Sequence, residues 1–86
     1  MNKNVFEPYK WVYRGKQRKA IIIALDTAKT PTKLKEDTNI KVTNISDVLI
    51  AMVDMKLAKC LNPKDKLGRF YELTKLGKEV RKEFLR

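Results

Sequence analysis

The sequence predicts a mostly helical α+β domain: a three-helix core, a two-stranded hairpin and a C-terminal helix. Three observations predict it. Apolar residues recur at helical spacing in separate stretches ahead of the hairpin, two short extendable segments flank a turn-rich basic linker, and Thr74 opens a last helix with one apolar stripe. Eighty-six residues with 43% hydrophobic content hold one core and no second one, so residues 1–86 read as a single domain.

Residues 1–15 read as an N-terminal arm, basic through Lys3, Lys10 and Arg14 and aromatic through Phe6, Tyr9, Trp11 and Tyr13. A first helix is expected from Lys16 to Ala28, where Ile21, Ile22, Leu25 and Ala28 share a face. Thr30-Pro31 is a helix start, because the threonine hydroxyl caps free amides and proline loses nothing at the first helical position. The second helix runs from Pro31 to about Asp37. Asp37-Thr38-Asn39 then breaks the pattern, and Asn39 accepts a left-handed turn. The third helix is expected from Thr43, as its cap, to Met55 or Lys56, so that residues 31–56 form a helix-turn-helix.

Residues 57–73 read as a hairpin, with extended segments Leu57 to Asn62 and Arg69 to Leu73 joined by Pro63-Lys64-Asp65-Lys66-Leu67-Gly68. Thr74 caps the final helix, 74–86, in which Leu76, Val80 and Phe84 lie on one stripe.

A formal net charge of +10 suits a polyanionic partner. The longest apolar run, Ala20 to Leu25, is far short of the roughly 20 residues that cross a bilayer, and the N-terminus has no secretory pattern; a cytoplasmic protein without membrane association is expected. One cysteine and no histidine leave no intramolecular disulfide and no set of soft metal ligands, so no metal is expected. Without histidine, paired cysteines or a glycine-rich phosphate loop, the carboxylates suggest no catalytic constellation; neither enzymatic activity nor a cofactor is expected. Cys60, alone in an extended segment, reads as a structural thiol rather than a sensor.

Two helices joined by a short polar turn and followed at once by a basic hairpin make a winged helix-turn-helix, in which the second of the two helices enters the major groove. Four stretches carry a family likeness: Trp11-Val12-Tyr13-Arg14-Gly15-Lys16-Gln17-Arg18, Thr30-Pro31-Thr32-Lys33-Leu34, Asn44-Ile45-Ser46 with Leu49 and Met52, and most closely Cys60-Leu61-Asn62-Pro63 leading to Gly68-Arg69-Phe70-Tyr71-Glu72-Leu73-Thr74-Lys75-Leu76-Gly77. Through them the sequence resembles, over nearly its whole length, the archaeal-type winged-helix transcription regulators related to ArsR and MarR repressors. The resemblance implies a regulator that binds double-stranded DNA as a homodimer.

Two departures stand out. Members of that family usually place glycine at the end of the third helix, where this chain has Lys56. They also present arginine, lysine or glutamine on the groove-facing side, where this chain presents none. With Ile45, Val48, Leu49 and Met52 inward, that side carries Thr43, Ser46, Asp47, Ile50 and Asp54. Thr43, Asn44, Ser46, Asp47 and Ile50 are the expected major-groove residues, Asp47 accepting from a cytosine amino group and Ile50 touching a thymine methyl. Thr32, Lys33, Lys35, Arg18 and Lys19 are expected on the phosphate backbone. Lys64, Lys66 and Arg69 are expected from the wing, with Arg69 as the candidate for a narrow minor groove. Trp11, Val12, Phe84 and Leu85 are the expected dimer surface. The alternative is a winged-helix protein-interaction module in a transcription or repair complex, suggested by apolar Ile50 and Val53 beside Asp47 and Asp54.

Overall fold

The computed structural model describes residues 1–86 and contains five helices and one hairpin. In chain order these are α1 (Lys3–Tyr13), α2 (Lys16–Ala24), α3 (Pro31–Thr38), α4 (Val42–Asp54), β1 (Ala58–Cys60), β2 (Tyr71–Leu73) and α5 (Lys75–Phe84). The architecture is a mostly helical winged helix-turn-helix: α3 and α4 are the helix pair, and the β1–β2 hairpin is the wing.

The expected arm is a helix. Asn2 caps α1 by accepting from the Val5 amide at 3.1 Å, and Val5, Pro8 and Val12 recur on one buried face. Pro8 lies inside this helix and lacks the amide that would bond the previous turn, a loss tolerated because its ring is buried. The three-helix core is thus extended by a fourth helix that packs against α2 and α5. The first predicted helix, α2, stops at Ala24 rather than Ala28. Residues beyond it turn back so that Lys29 exchanges two backbone hydrogen bonds with Tyr71, both 2.9 Å, adding a one-residue bridge to the edge of β2.

Thr30 caps α3 as expected, accepting from the Lys33 amide, and Asn39 ends it in the left-handed region with φ 60°. Helix α4 starts two residues earlier than expected: Lys41 stands at the cap position and Thr43 lies within the first turn, so Thr43 is not the cap. At the other end Lys56 has φ 66°; its amide bonds the Val53 carbonyl at 3.0 Å, and the Leu57 amide bonds that of Met52 at 2.8 Å. This is a Schellman motif, and Lys56 occupies its left-handed position.

The wing strands are shorter than their predicted segments. Ala58, Lys59 and Cys60 pair antiparallel with Leu73, Glu72 and Tyr71. Inside lie Ile21, Ile22, Leu34, Ile45, Leu49, Met52, Leu57 and Val80, all fully buried and drawn from four helices and the start of the wing. Of the last helix's predicted stripe, Val80 reaches this core while Leu76 and Phe84 pack half-buried against it.

Candidate nucleic-acid interface

The Lys29–Tyr71 bridge decides where the wing stands. It fastens the loop ahead of α3 to β2, so the start of α3 faces the wing across the exposed side of α4. A cleft of about 360 Å³ runs between them. Thr30, Pro31 and Thr32 line it from α3, Val42, Ser46 and Ile50 from α4, and Lys66, Leu67, Gly68, Arg69 and Tyr71 from the wing. The cleft therefore gathers residues expected to touch backbone (Thr32), major groove (Ser46, Ile50) and wing contacts (Lys66, Arg69) on one concave surface.

Side chains order the wing loop. The Asn62 amide nitrogen donates to Asp65 Oδ2 at 2.8 Å and to the Gly68 carbonyl at 3.1 Å, while its oxygen accepts from the Phe70 amide at 2.7 Å. Arg69 donates from Nε to the Asp65 carbonyl and from Nη2 to that of Pro63 at 3.2 Å. Arg69 is the expected minor-groove residue, but its guanidinium is turned onto its own loop and holds it closed. Lys64 and Lys66 are exposed at the tip.

The expected backbone contacts divide in the same way. Arg18 donates to the Trp11 carbonyl at 2.8 Å and lies over the Trp11 ring at 4.2 Å, so it staples α2 to α1 rather than reaching outward. Lys19 stands 5.6 Å from the Phe84 ring. Lys33 pairs with Asp37 at 3.3 Å and Glu36 at 3.9 Å. Thr32 and Lys35 are exposed on α3, and Lys35 forms no ion pair.

Behind α3, Lys29 Nζ bridges Asp37 at 2.7 Å and Asp26 at 3.0 Å. Hydrogen bonds from Lys29, reinforced by its charge, hold both carboxyls below their ordinary range. The hydrogen bond to Asp37 raises Lys29 in turn. This triad ties the end of α2 to the body of α3.

On α4, Thr43, Asp47 and Ile50 are exposed, Ile50 by 58%, while Asn44 and Ser46 are half-buried. Ile45, Leu49 and Met52 point inward, as their spacing implies, and Val48 packs half-buried beside them. Of the expected dimer residues, Val12 is fully buried in the core and cannot present a surface. Trp11 is covered in part by Arg18, and Phe84 stacks on Tyr9 with centroids 4.8 Å apart. Leu85 is exposed, as are Phe6 and Tyr13 on α1. Cys60 is half-buried, its thiol 3.9 Å from the Asn62 oxygen.

Three residues near the cleft escape a reading by pattern. Lys41 stands exposed at the cap of α4, a place that emerges only once the start of that helix is known. Tyr71 lines the cleft because of its bridge to Lys29. Leu67, read as a linker residue, is 89% exposed at the wing tip.

No protein-family model and no curated protein matches the sequence. Among solved structures, the chain is similar to a mutant of Lactococcus lactis ZitR, with a TM-score of 0.67 and 23% identity over 78% of this chain. It is also similar to the reduced form of MarR from E. coli, with a TM-score of 0.72 and 18% identity over 92% of this chain. The fold is a MarR-like winged helix. The chain spans 47% of the ZitR chain and 66% of the MarR chain. No helix is long and apolar enough to cross a membrane.

Proposed function

We propose that this chain is a winged-helix transcription regulator that binds double-stranded DNA without catalysing a reaction. One observation carries the reading: a single cleft lies between the start of α3, the exposed side of α4 and the basic wing. A phosphate strand fits there, with α4 entering the major groove on one side and the wing reaching the next minor groove on the other. Thr32 lines the cleft at the start of α3 and Lys66 lines it from the wing, while Lys35, Lys41 and Lys64 stand exposed on α3, at the cap of α4 and on the wing loop with no ion pair to neutralise them. Thr43, Asn44, Ser46, Asp47 and Ile50 then face base edges, of which Asp47 and Ile50 are the readers.

The likeness to MarR and ZitR supports the assignment at the level of architecture. Two copies joined through α1 and α5 would place two such clefts on a pseudo-palindromic site.

Titrating random-sequence duplex DNA at several salt concentrations tests the reading. Binding that weakens steeply and linearly in log-log form is the expected result. Binding that is absent, or insensitive to salt, favours the protein-interaction module instead. The observation on its side is that the exposed face of α4 carries Asp47, Asp54 and a bare Ile50 but no cation.

A further inference from the structure

The wing tip holds an apolar side chain in solvent at the rim of the cleft, next to a cation that would be expected to lead. Leu67 is 89% exposed, between Lys66 and a Gly68 in the left-handed region with φ 66°. Its loop is not slack: Asn62 makes three hydrogen bonds across it and Arg69 two more, all of them within the loop. The side chains that order this loop leave Leu67 as its most exposed apolar group, and Arg69, the one arginine of the wing, is consumed in the ordering.

We propose that Leu67 is the residue the wing delivers to the minor groove, acting as an apolar wedge at a base step. The inference rests on the DNA-binding reading above and adds a specificity residue to it. A leucine offers no hydrogen bond to a base edge. It acts by entering between base pairs and partly unstacking them, which costs least at pyrimidine–purine steps such as TA and CA/TG. Lys64 and Lys66 supply the charge that draws the tip to the phosphates flanking the groove, which singles out DNA over an apolar protein partner. Because the loop is already ordered, insertion loses little conformational freedom.

The test uses the whole chain and a pool of random-sequence duplexes. Bound duplexes are sequenced, and the enriched step is then rebuilt with a fluorescent adenine analogue whose emission rises on unstacking. Wild type is expected to enrich flexible steps at a fixed distance from the α4 contacts and to raise the emission. Leu67→Ala is expected to abolish both, with binding to the selected site about tenfold weaker and an unchanged salt slope, since no charge is removed. Leu67→Met, which keeps a flexible apolar wedge, restores both.

If Leu67→Ala enriches the same steps with the same emission while wild type binds with a steep salt dependence, the wedge is wrong and the DNA-binding reading stands. If wild type shows no salt-dependent binding, both fall. The exposed position of Leu67 keeps the fold out of the comparison.

Discussion

The Thr74 hydroxyl donates to the carbonyl of Lys56 at 2.6 Å, joining the cap of α5 to the left-handed residue that ends α4. The same oxygen accepts from the Gly77 amide at 3.1 Å, so one side chain starts the last helix and clamps the corner where the wing begins. Lys56 thus takes a left-handed shape that glycine ordinarily fills at a helix end, held there by Thr74 and by the Schellman bonds. A side chain in that region costs about 1 kcal/mol relative to glycine. Lys56→Gly is therefore expected to stabilise the domain by about 1 kcal/mol, a rise of roughly 4 to 8 °C in melting temperature for a domain of this size. Thermal unfolding followed by circular dichroism checks it; an unchanged or lower midpoint would mean that the corner is not strained.

Three residues after Thr74, the chain passes so close to the wing that a side chain has no room. A Cβ on Gly77 would collide with the Leu57 carbonyl oxygen and meet the Leu73 Cβ at 3.1 Å. The obstacle is backbone, which cannot swing aside. Gly77→Ala is expected to destabilise the domain by about 3 kcal/mol despite alanine's better helix propensity. Urea unfolding measures this, and a neutral result would show that α5 can slide along the wing.

The Lys29–Asp37 pair predicts a pH dependence. Asp37 is held below its ordinary range chiefly by the Lys29 hydrogen bond, so its contribution to stability is complete above about pH 4 and is lost as the pH falls through the lower folded-state value. Lys29 is raised, so its contribution is complete below its ordinary value of 10.5 and disappears only at more alkaline pH. Asp37→Asn is expected to be less stable than wild type by a constant margin between about pH 5 and 9, with the margin closing in acid below about pH 4. Urea midpoints across that range decide it: a margin that persists at low pH would place the loss in packing rather than in the ion pair.

Much of this fold is legible because its signals are local. Thr30-Pro31 and Asn39, and Thr74 in its role as a cap, act on amides and carbonyls within four residues, and the Ile45, Leu49, Met52 stripe needs only the helical period. The N-terminal helix is hidden by Pro8, a residue that ordinarily ends helices and is tolerated here because long-range packing buries its ring. The early end of α2 is hidden for a related reason, since the Lys29–Tyr71 bridge spans forty-odd residues and leaves no trace near Ala24. At the candidate interface, residue types announce a basic wing correctly. They do not say that Arg69 folds back onto Asp65 and Pro63, or that Arg18 covers Trp11, because those contacts depend on how a loop closes and how two helices cross.

Burial of Val12 moves the expected dimer surface outward along the same two helices. Tyr13 packs near Tyr9, with centroids 6.0 Å apart, and Tyr9 stacks on Phe84, so α1 and α5 share an aromatic ridge. Phe6, Tyr13 and Leu85 remain exposed around it. A stable dimer buries about 800 Å² on each partner, and this ridge is the apolar surface best placed to supply it. Sedimentation at micromolar concentration is expected to show a dimer, and Tyr13→Glu to shift it toward monomer. A monomer at every concentration would rule the dimer out.

Affinity and sequence preference are expected to reside on different elements. The unpaired cations sit on the wing tip and beside α3, whereas the exposed side of α4 carries Thr43, Asp47 and Ile50. Replacing Lys64 and Lys66 together with alanine should weaken binding to every duplex and lower the log-log salt slope by about 0.9 for each phosphate that is no longer neutralised. Arg69→Ala should act differently, loosening the loop rather than removing an outward charge, so its effect on the slope should be the smaller one. Asp47→Ala removes a carboxylate that repels phosphates and reads at most one base pair. Total affinity should then stay similar or rise slightly, while discrimination at one position falls by about 1 to 3 kcal/mol. Binding to a randomised duplex library over a salt series separates these outcomes. Should the lysine double variant keep the wild-type slope while Asp47→Ala changes neither affinity nor preference, the wing and α4 are not the surfaces that meet DNA, and the apolar and acidic face of α4 becomes the place to look for a protein partner.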